Sequence, residues 1–156
     1  MYRTRLGHVL LNVYDLDRTI EFYSRFLNLH LVERVDDYRA FLSGGEAHHE
    51  LAIEKVKPDA PRALAESAGL NHIAFEVSDK RSFAQAFETL SQAGLHVTTS
   101  DNLISWSIYF DDPDGNLVEI YLDTRSESHG QPLWRGVRQP LGPDTILAAL
   151  EDSDNG

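Results

Sequence analysis

The residue pattern predicts an α+β protein made of two β-α-β-β-β modules. Three observations carry that reading. The stretch GHVLLNV (Gly7 to Val13) is echoed by NHIAFEV (Asn71 to Val77), with His8 and His72 64 positions apart. The same offset pairs Val13 with Val77, Asp15 with Asp79, Tyr23 with Phe87 and Phe26 with Leu90. A repeat this long, present twice, marks a duplicated supersecondary unit and not a solenoid. Within each copy the apolar spacing changes from a period of two to a period of about 3.6 and back, the order strand, helix, strands.

Each module opens on a strand. In the first, Val9, Leu11 and Val13 share one face while His8, Leu10 and Asn12 share the other. In the second, Ile73, Phe75 and Val77 oppose His72, Ala74 and Glu76. Both histidines therefore sit on the less apolar face of a half-buried strand. A helix follows. Leu16, Ile20, Tyr23 and Leu27 keep helical spacing, with Asp15 or Asp17 as the N-cap; Phe83, Phe87 and Leu90 repeat the pattern, with Ser78 or Asp79 to start it and Gly94 to end it. Short strand-like runs come next: HLVERV, YRAFLSG and HHELAIE, then LHVTT, SWSIYF and LVEIYLD. Gly44-Gly45 and DDPDGN (Asp111 to Asn116) supply turns, with Gly115 or Asn116 suited to positive φ. The modules span about residues 6–54 and 70–123, joined by a proline-bearing linker, 55–69, as one domain over 1–123. Residues 124–156 form an extension. DTILAALED predicts one helix capped by Asp144, and Leu133, Trp134 and Leu141 are apolar enough to pack on the body or on a second subunit.

Composition narrows the function. The 156 residues carry 25 acidic and 14 basic side chains, a net charge of −11. Nucleic-acid binding needs a basic footprint, which is missing, and anionic membrane surfaces are repelled. No apolar run approaches the ~20 residues of a membrane span. Without cysteine there are no disulfides and no thiolate metal sites, which fits a cytoplasmic setting. There is no Gly-rich phosphate loop, G-x-S-x-G or H-E-x-x-H.

The last strand, LVEIYLD, puts Glu119 on the face opposite Val118, Ile120 and Leu122. Symmetric packing of the modules would bring His8, His72 and Glu119 together. Two imidazoles and a carboxylate form the facial triad favoured by Fe(II), and the set also suits Zn, Ni or Mn.

GHVLLNVYDLDRTIEFYSRFLNL, NHIAFEV and SWSIYFDDPDGNLVEIY resemble the vicinal oxygen chelate superfamily, which includes glyoxalase I, bleomycin-resistance proteins and type I extradiol dioxygenases. The resemblance covers about Leu6 to Asp123. It implies a cup-shaped mixed sheet around one metal, with ligands at His8, His72 and Glu119, and a small-molecule substrate; the apolar residues of the extension suggest a homodimer or higher homo-oligomer. Two chemistries compete within it. An extradiol enzyme would use His49 as acid/base and Tyr109 to orient a catecholic substrate on Fe(II). A glyoxalase-like enzyme would use Glu50 as a fourth ligand to Ni or Zn. A third reading is a binder without catalysis. Strand alternation puts His49 with Leu51 and Ile53, and Glu50 with His48, Ala52 and Glu54, so a regular strand points only one of the two inward. The similarity of HHELA to the extradiol His-His-x-Leu-Ala run favours His49. One departure is that extradiol relatives carry a further histidine a few residues before the tyrosine, whereas this chain has DNLIS with Asn102. His48 and Asn102 are candidate pocket residues, while His30, His96 and His129 read as solvated surface.

Overall fold

The computed structural model describes residues 2–64 and 66–151. The described residues form eight strands and three helices in the order β1 (Val9–Val13), α1 (Leu16–Leu27), β2 (His30–Val35), β3 (Arg39–Ser43), β4 (Leu51–Lys55), β5 (His72–Val77), α2 (Lys80–Gln92), β6 (Thr98–Asp101), β7 (Ser105–Asp111), β8 (Leu117–Asp123) and α3 (Pro143–Glu151). This is the expected α+β order, with β-α-β-β-β twice. The chain divides into two compact units: residues up to Ala68 with Asp112–Asp114, and Gly69–Asp111 with the residues from Gly115 onward.

In the first unit the sheet order is β1-β4-β3-β2. β1 runs parallel to β4, with Leu10 beside Ala52, and β3 runs antiparallel to both β4 and β2. Leu11, Val13, Ala40, Leu42, Leu51 and Ile53 are buried, as are Leu16, Thr19, Phe22 and Tyr23 of α1. Asp15 is the N-cap of α1 and accepts from the Arg18 N–H at 3.0 Å. Asn28 ends the helix in the left-handed region, φ 55°. Buried Tyr23 donates to Asp112 Oδ2 at 3.0 Å, and Asp114 accepts from Arg18 Nη2 at 2.6 Å. The expected DDPDGN turn is present, with Gly115 at φ 84°, and its aspartates also brace α1.

The second unit repeats the order, β5-β8-β7-β6. β5 is parallel to β8, with Ala74 beside Glu119, and β7 is antiparallel to β8 and β6. Its core joins Val118, Ile120, Leu122, Trp106, Ile108 and Phe110 to Phe83, Ala84, Phe87 and Leu90 of α2. Asp79 caps α2, accepting from the Ser82 N–H at 2.7 Å, and Gly94 follows its end at φ 76°.

Four expectations need correcting. His8 is not within the opening strand: β1 starts at Val9, so His8 lies in the segment leading into it. HHELAIE is not strand throughout: β4 starts at Leu51, because residues 44–50 form an irregular loop in which Ser43 Oγ donates to the Ala47 carbonyl at 2.8 Å. LHVTT contributes only its last two residues to β6. Asp144 lies inside the first turn of α3 and is not its cap, since Pro143, which has no N–H to lose, occupies the first position. Asp152, at the end of the expected helix, lies outside the described residues. In the extension Leu141 is buried as expected, whereas Leu133 and Trp134 are exposed.

Candidate functional site

In the second unit, cross-strand register assembles one polar face. Tyr109 of β7 stands directly opposite Glu119 of β8, and Ala74 of β5 flanks Glu119 on the other side. His72 lies two positions before Ala74, so its side chain emerges on the same face. His72 Nε2 is 3.0 Å from Glu119 Oε2, and its Nδ1 is 2.7 Å from Asn71 Oδ1. With the proton on Nδ1, donated to the Asn71 oxygen, the Nε2 lone pair is free for an ion held between it and the carboxylate. Glu119 is 8 % exposed. The Tyr109 ring meets the His72 ring edge-on, centroids 5.9 Å apart. These residues line a cleft of about 750 Å³ that also includes Asn102, Tyr121, Trp134 and Arg138. Asn102 is buried in the wall, donating to Ser107 Oγ at 2.9 Å while its Oδ1 accepts from Ser100 Oγ at 3.2 Å.

In the first unit, His8 and His49 are ring neighbours, with centroids 4.5 Å apart, and Phe41 packs on His49 at 4.9 Å. His48 Nδ1 is 2.8 Å from His49 Nδ1, and His48 Nε2 is 3.5 Å from Glu33. Glu50 turns elsewhere: its Oε2 accepts from the Gly44 N–H at 3.0 Å. Partial burial pushes the His49 imidazole below the ordinary histidine range, and proximity to His8 and then His48 pushes it further.

His49 reaches His8 because the strand has not yet begun. Alternation holds from Leu51 onward, but the loop before it turns His49 onto the His8 and Phe41 side. Register also locates the repeat partner of Glu119. Leu10 pairs with Ala52 as Ala74 pairs with Glu119, and Leu10 and Ala74 are 64 positions apart. The first sheet thus has Ala52 where the second has its carboxylate, and Glu50 lies two residues away. In neither unit, among the described residues, do three His, Asp or Glu side chains gather into a metal-ligand set. His72 with Glu119 nevertheless suits an ion, because two ligand atoms each about 2.1 Å from a metal at a right angle stand roughly 3 Å apart.

Part of the extension also walls this cleft. Asp101 and Gln139 exchange backbone hydrogen bonds of 2.9 and 2.7 Å, and Gln131 N–H donates to the Leu103 carbonyl at 2.9 Å. Trp134 and Arg138 are thereby held beside the sheet. The cluster of Trp134, Arg135 and Arg138 marks this segment in an otherwise acidic chain.

Duplicated β-α-β-β-β modules, with His8 just before the first strand of one and His72 opening that of the other, define a class of small-molecule-handling folds. The chain belongs to the Glyoxalase/Bleomycin resistance protein/Dioxygenase superfamily, whose sequence profile matches residues 5–120. It is 27 % identical to the catechol-2,3-dioxygenase of Bacillus subtilis (strain 168) over 77 % of this chain, and it spans only 42 % of that protein's length. It is 28 % identical to the glutathione transferase FosA of Serratia marcescens, over 75 % of this chain and 79 % of that protein. The crystal structure of a glyoxylase/bleomycin resistance protein/dioxygenase domain from Frankia sp. EAN1pec superposes with a TM-score of 0.66 at 24 % identity, covering 78 % of this chain and 99 % of that one, which shows the shared fold. No helix among the described residues is long and apolar enough to cross a membrane.

Proposed function

We propose that the protein is an Fe(II)-dependent extradiol dioxygenase acting on a catecholic compound, with His8, His72 and Glu119 as metal ligands. The observation that carries this choice over a glyoxalase-like one is the placement of His49 against His8 while Glu50 is bonded to the Gly44 N–H. The absence of a carboxylate at Ala52 points the same way. Similarity to a catechol-2,3-dioxygenase supports the substrate class.

When bound, Fe(II) supplies a Lewis-acidic centre for the substrate oxygens and the electronic link to O2. The chain's own residues do the rest. His72 and Glu119 present one nitrogen and one oxygen donor, and Asn71 holds the His72 ring in the ligating tautomer. The Tyr109 hydroxyl, on the same face, hydrogen-bonds a substrate oxygen and sets its orientation. His49 accepts a proton from the catechol and returns it to the opened product. Its neutral form, favoured by burial, makes it a base at neutral pH. Both oxygen atoms of O2 enter the product, so no external reductant is required.

Anaerobic loading with Fe(II), followed by a catechol panel and then air, should give a yellow ring-fission product. Stoichiometric metal uptake with no turnover across the panel would overturn the assignment. Loss of metal from Glu50→Ala with unchanged activity in His49→Ala would replace it with the glyoxalase-like mechanism.

A further inference from the structure

The cleft in the second unit holds a cation that the reaction above does not use. Four charged residues line it: Glu119, Asp123, Arg125 and Arg138. Glu119 faces His72. Arg125 is engaged by Asp123, with Nε 2.9 and 3.0 Å from the two carboxylate oxygens and Nη2 at 2.5 Å from Oδ2. Arg138 has no acidic partner among the described residues. Its guanidinium carbon lies 5.4 Å above the centre of the Tyr109 ring, on the ring that also meets His72. A ring face takes up part of the positive charge but leaves the in-plane N–H donors free for a planar oxyanion.

The backbone holds Arg138 there. Trp134 to Val137 form a tight turn, closed by the Val137 N–H on the Trp134 carbonyl at 3.1 Å, with Arg135 at φ 54° and Gly136 at φ 74°. Directly after Arg138, Gln139 is pinned to Asp101, and Thr99 Oγ1 donates to the Leu141 carbonyl at 2.7 Å. The guanidinium is thus carried by a segment tied to the β6 edge directly after it, and to Leu103 through Gln131 before it. In a chain of net charge −11, an arginine so placed has a selective use: it offsets the repulsion an anionic ligand would meet.

We propose that Arg138 receives a carboxylate carried by the aromatic substrate, so that the preferred ligand is a carboxylated ring with the ring against Tyr109 and Trp134. That the ring is a catechol rests on the dioxygenase reading; the anionic subsite does not.

The test is calorimetric titration of metal-free protein with 3,4-dihydroxybenzoate and with its neutral analogue 3,4-dihydroxybenzamide. The acid should bind roughly tenfold tighter, as one exposed charge-assisted contact allows. Arg138→Gln should bring the two affinities together, and Arg138→Lys should keep part of the preference. The unfolding midpoint of Arg138→Gln, an exposed substitution, should match that of the parent. Equal affinity for the two ligands, no binding of either at millimolar concentration, or a preference surviving in Arg138→Gln would each overturn the proposal. Turnover of the same pair by Fe(II)-loaded protein separates the two readings. No ring cleavage with an intact binding preference defeats the dioxygenase assignment alone; cleavage of both compounds at equal kcat/KM defeats the subsite alone.

Discussion

At the scale of single residues, the division of labour between His72, His49 and Glu50 yields separable outcomes. His72→Ala should abolish stoichiometric metal uptake, measured on protein loaded anaerobically, because two remaining ligands hold a divalent ion poorly. His49→Ala should retain the metal and lose about 10²- to 10⁴-fold in turnover, the range of a general acid–base group. Glu50→Ala should keep the metal, since the Glu50 carboxylate is committed to the Gly44 N–H. Tyr23 illustrates a purely structural polar contact. Its hydroxyl and Asp112 are both buried, and burial together with the neighbouring carboxylate pushes the phenol far above its ordinary value. Tyr23→Phe removes a donor from a buried carboxylate, so denaturant unfolding should show a loss of about 1–3 kcal/mol with the site intact.

At the scale of elements, the two helices start the same way and α2 exposes the pH dependence of such a start. Asp79 is held below its ordinary value of 3.8 chiefly by the backbone N–H of Ser82, then by Ser78. A carboxylate depressed in the folded state stabilises above its unfolded pKa and loses that contribution as pH falls through the folded one. Asp79→Ala should therefore unfold at a lower temperature than the parent at pH 6, and the gap should narrow as the pH drops below 3.8. The extension depends on a close backbone approach. A methyl group at Gly130 would lie 1.7 Å from the Thr124 carbonyl oxygen, a contact no side chain tolerates. Gly130→Ala should displace the segment carrying Trp134 and Arg138, seen as a change in tryptophan emission and a weakened preference for 3,4-dihydroxybenzoate.

At the scale of the whole molecule, the sheets and their helices account for the two compact units, and the extension is structurally part of the second. Leu141 and Ile146 are buried, and α3 packs on α2. Burying each of these side chains contributes about 1.5–3 kcal/mol. A chain ending at Thr124 should lose several kcal/mol by thermal or urea unfolding, with its largest loss of amide protection in α2 and β6. If protection there is unchanged, the extension is an appendage and not part of the unit's core.

The fold class, the two-module repeat, the starts of the first two helices to within two residues and the faces of β1, β5 and β8 are determined by sequence alone, because strand and helix periods and N-cap chemistry act over a few residues. His72 and Glu119 could be assigned to the less apolar faces of their strands for the same reason, whereas the place of Tyr109 opposite Glu119 comes from cross-strand register. His49 could not be assigned by that rule. Its orientation depends on where β4 begins, and that is decided by the hydrogen bonds of the 44–50 loop, by the Phe41 ring of β3 and by the His8 ring just before β1. The place of Glu50, the identity of Ala52 as the counterpart of Glu119, and the return of Arg138 to the Tyr109 ring are likewise tertiary outcomes. Each depends on register or on contact between residues far apart in the chain, and the energy of such a contact exists only once the sheet has formed.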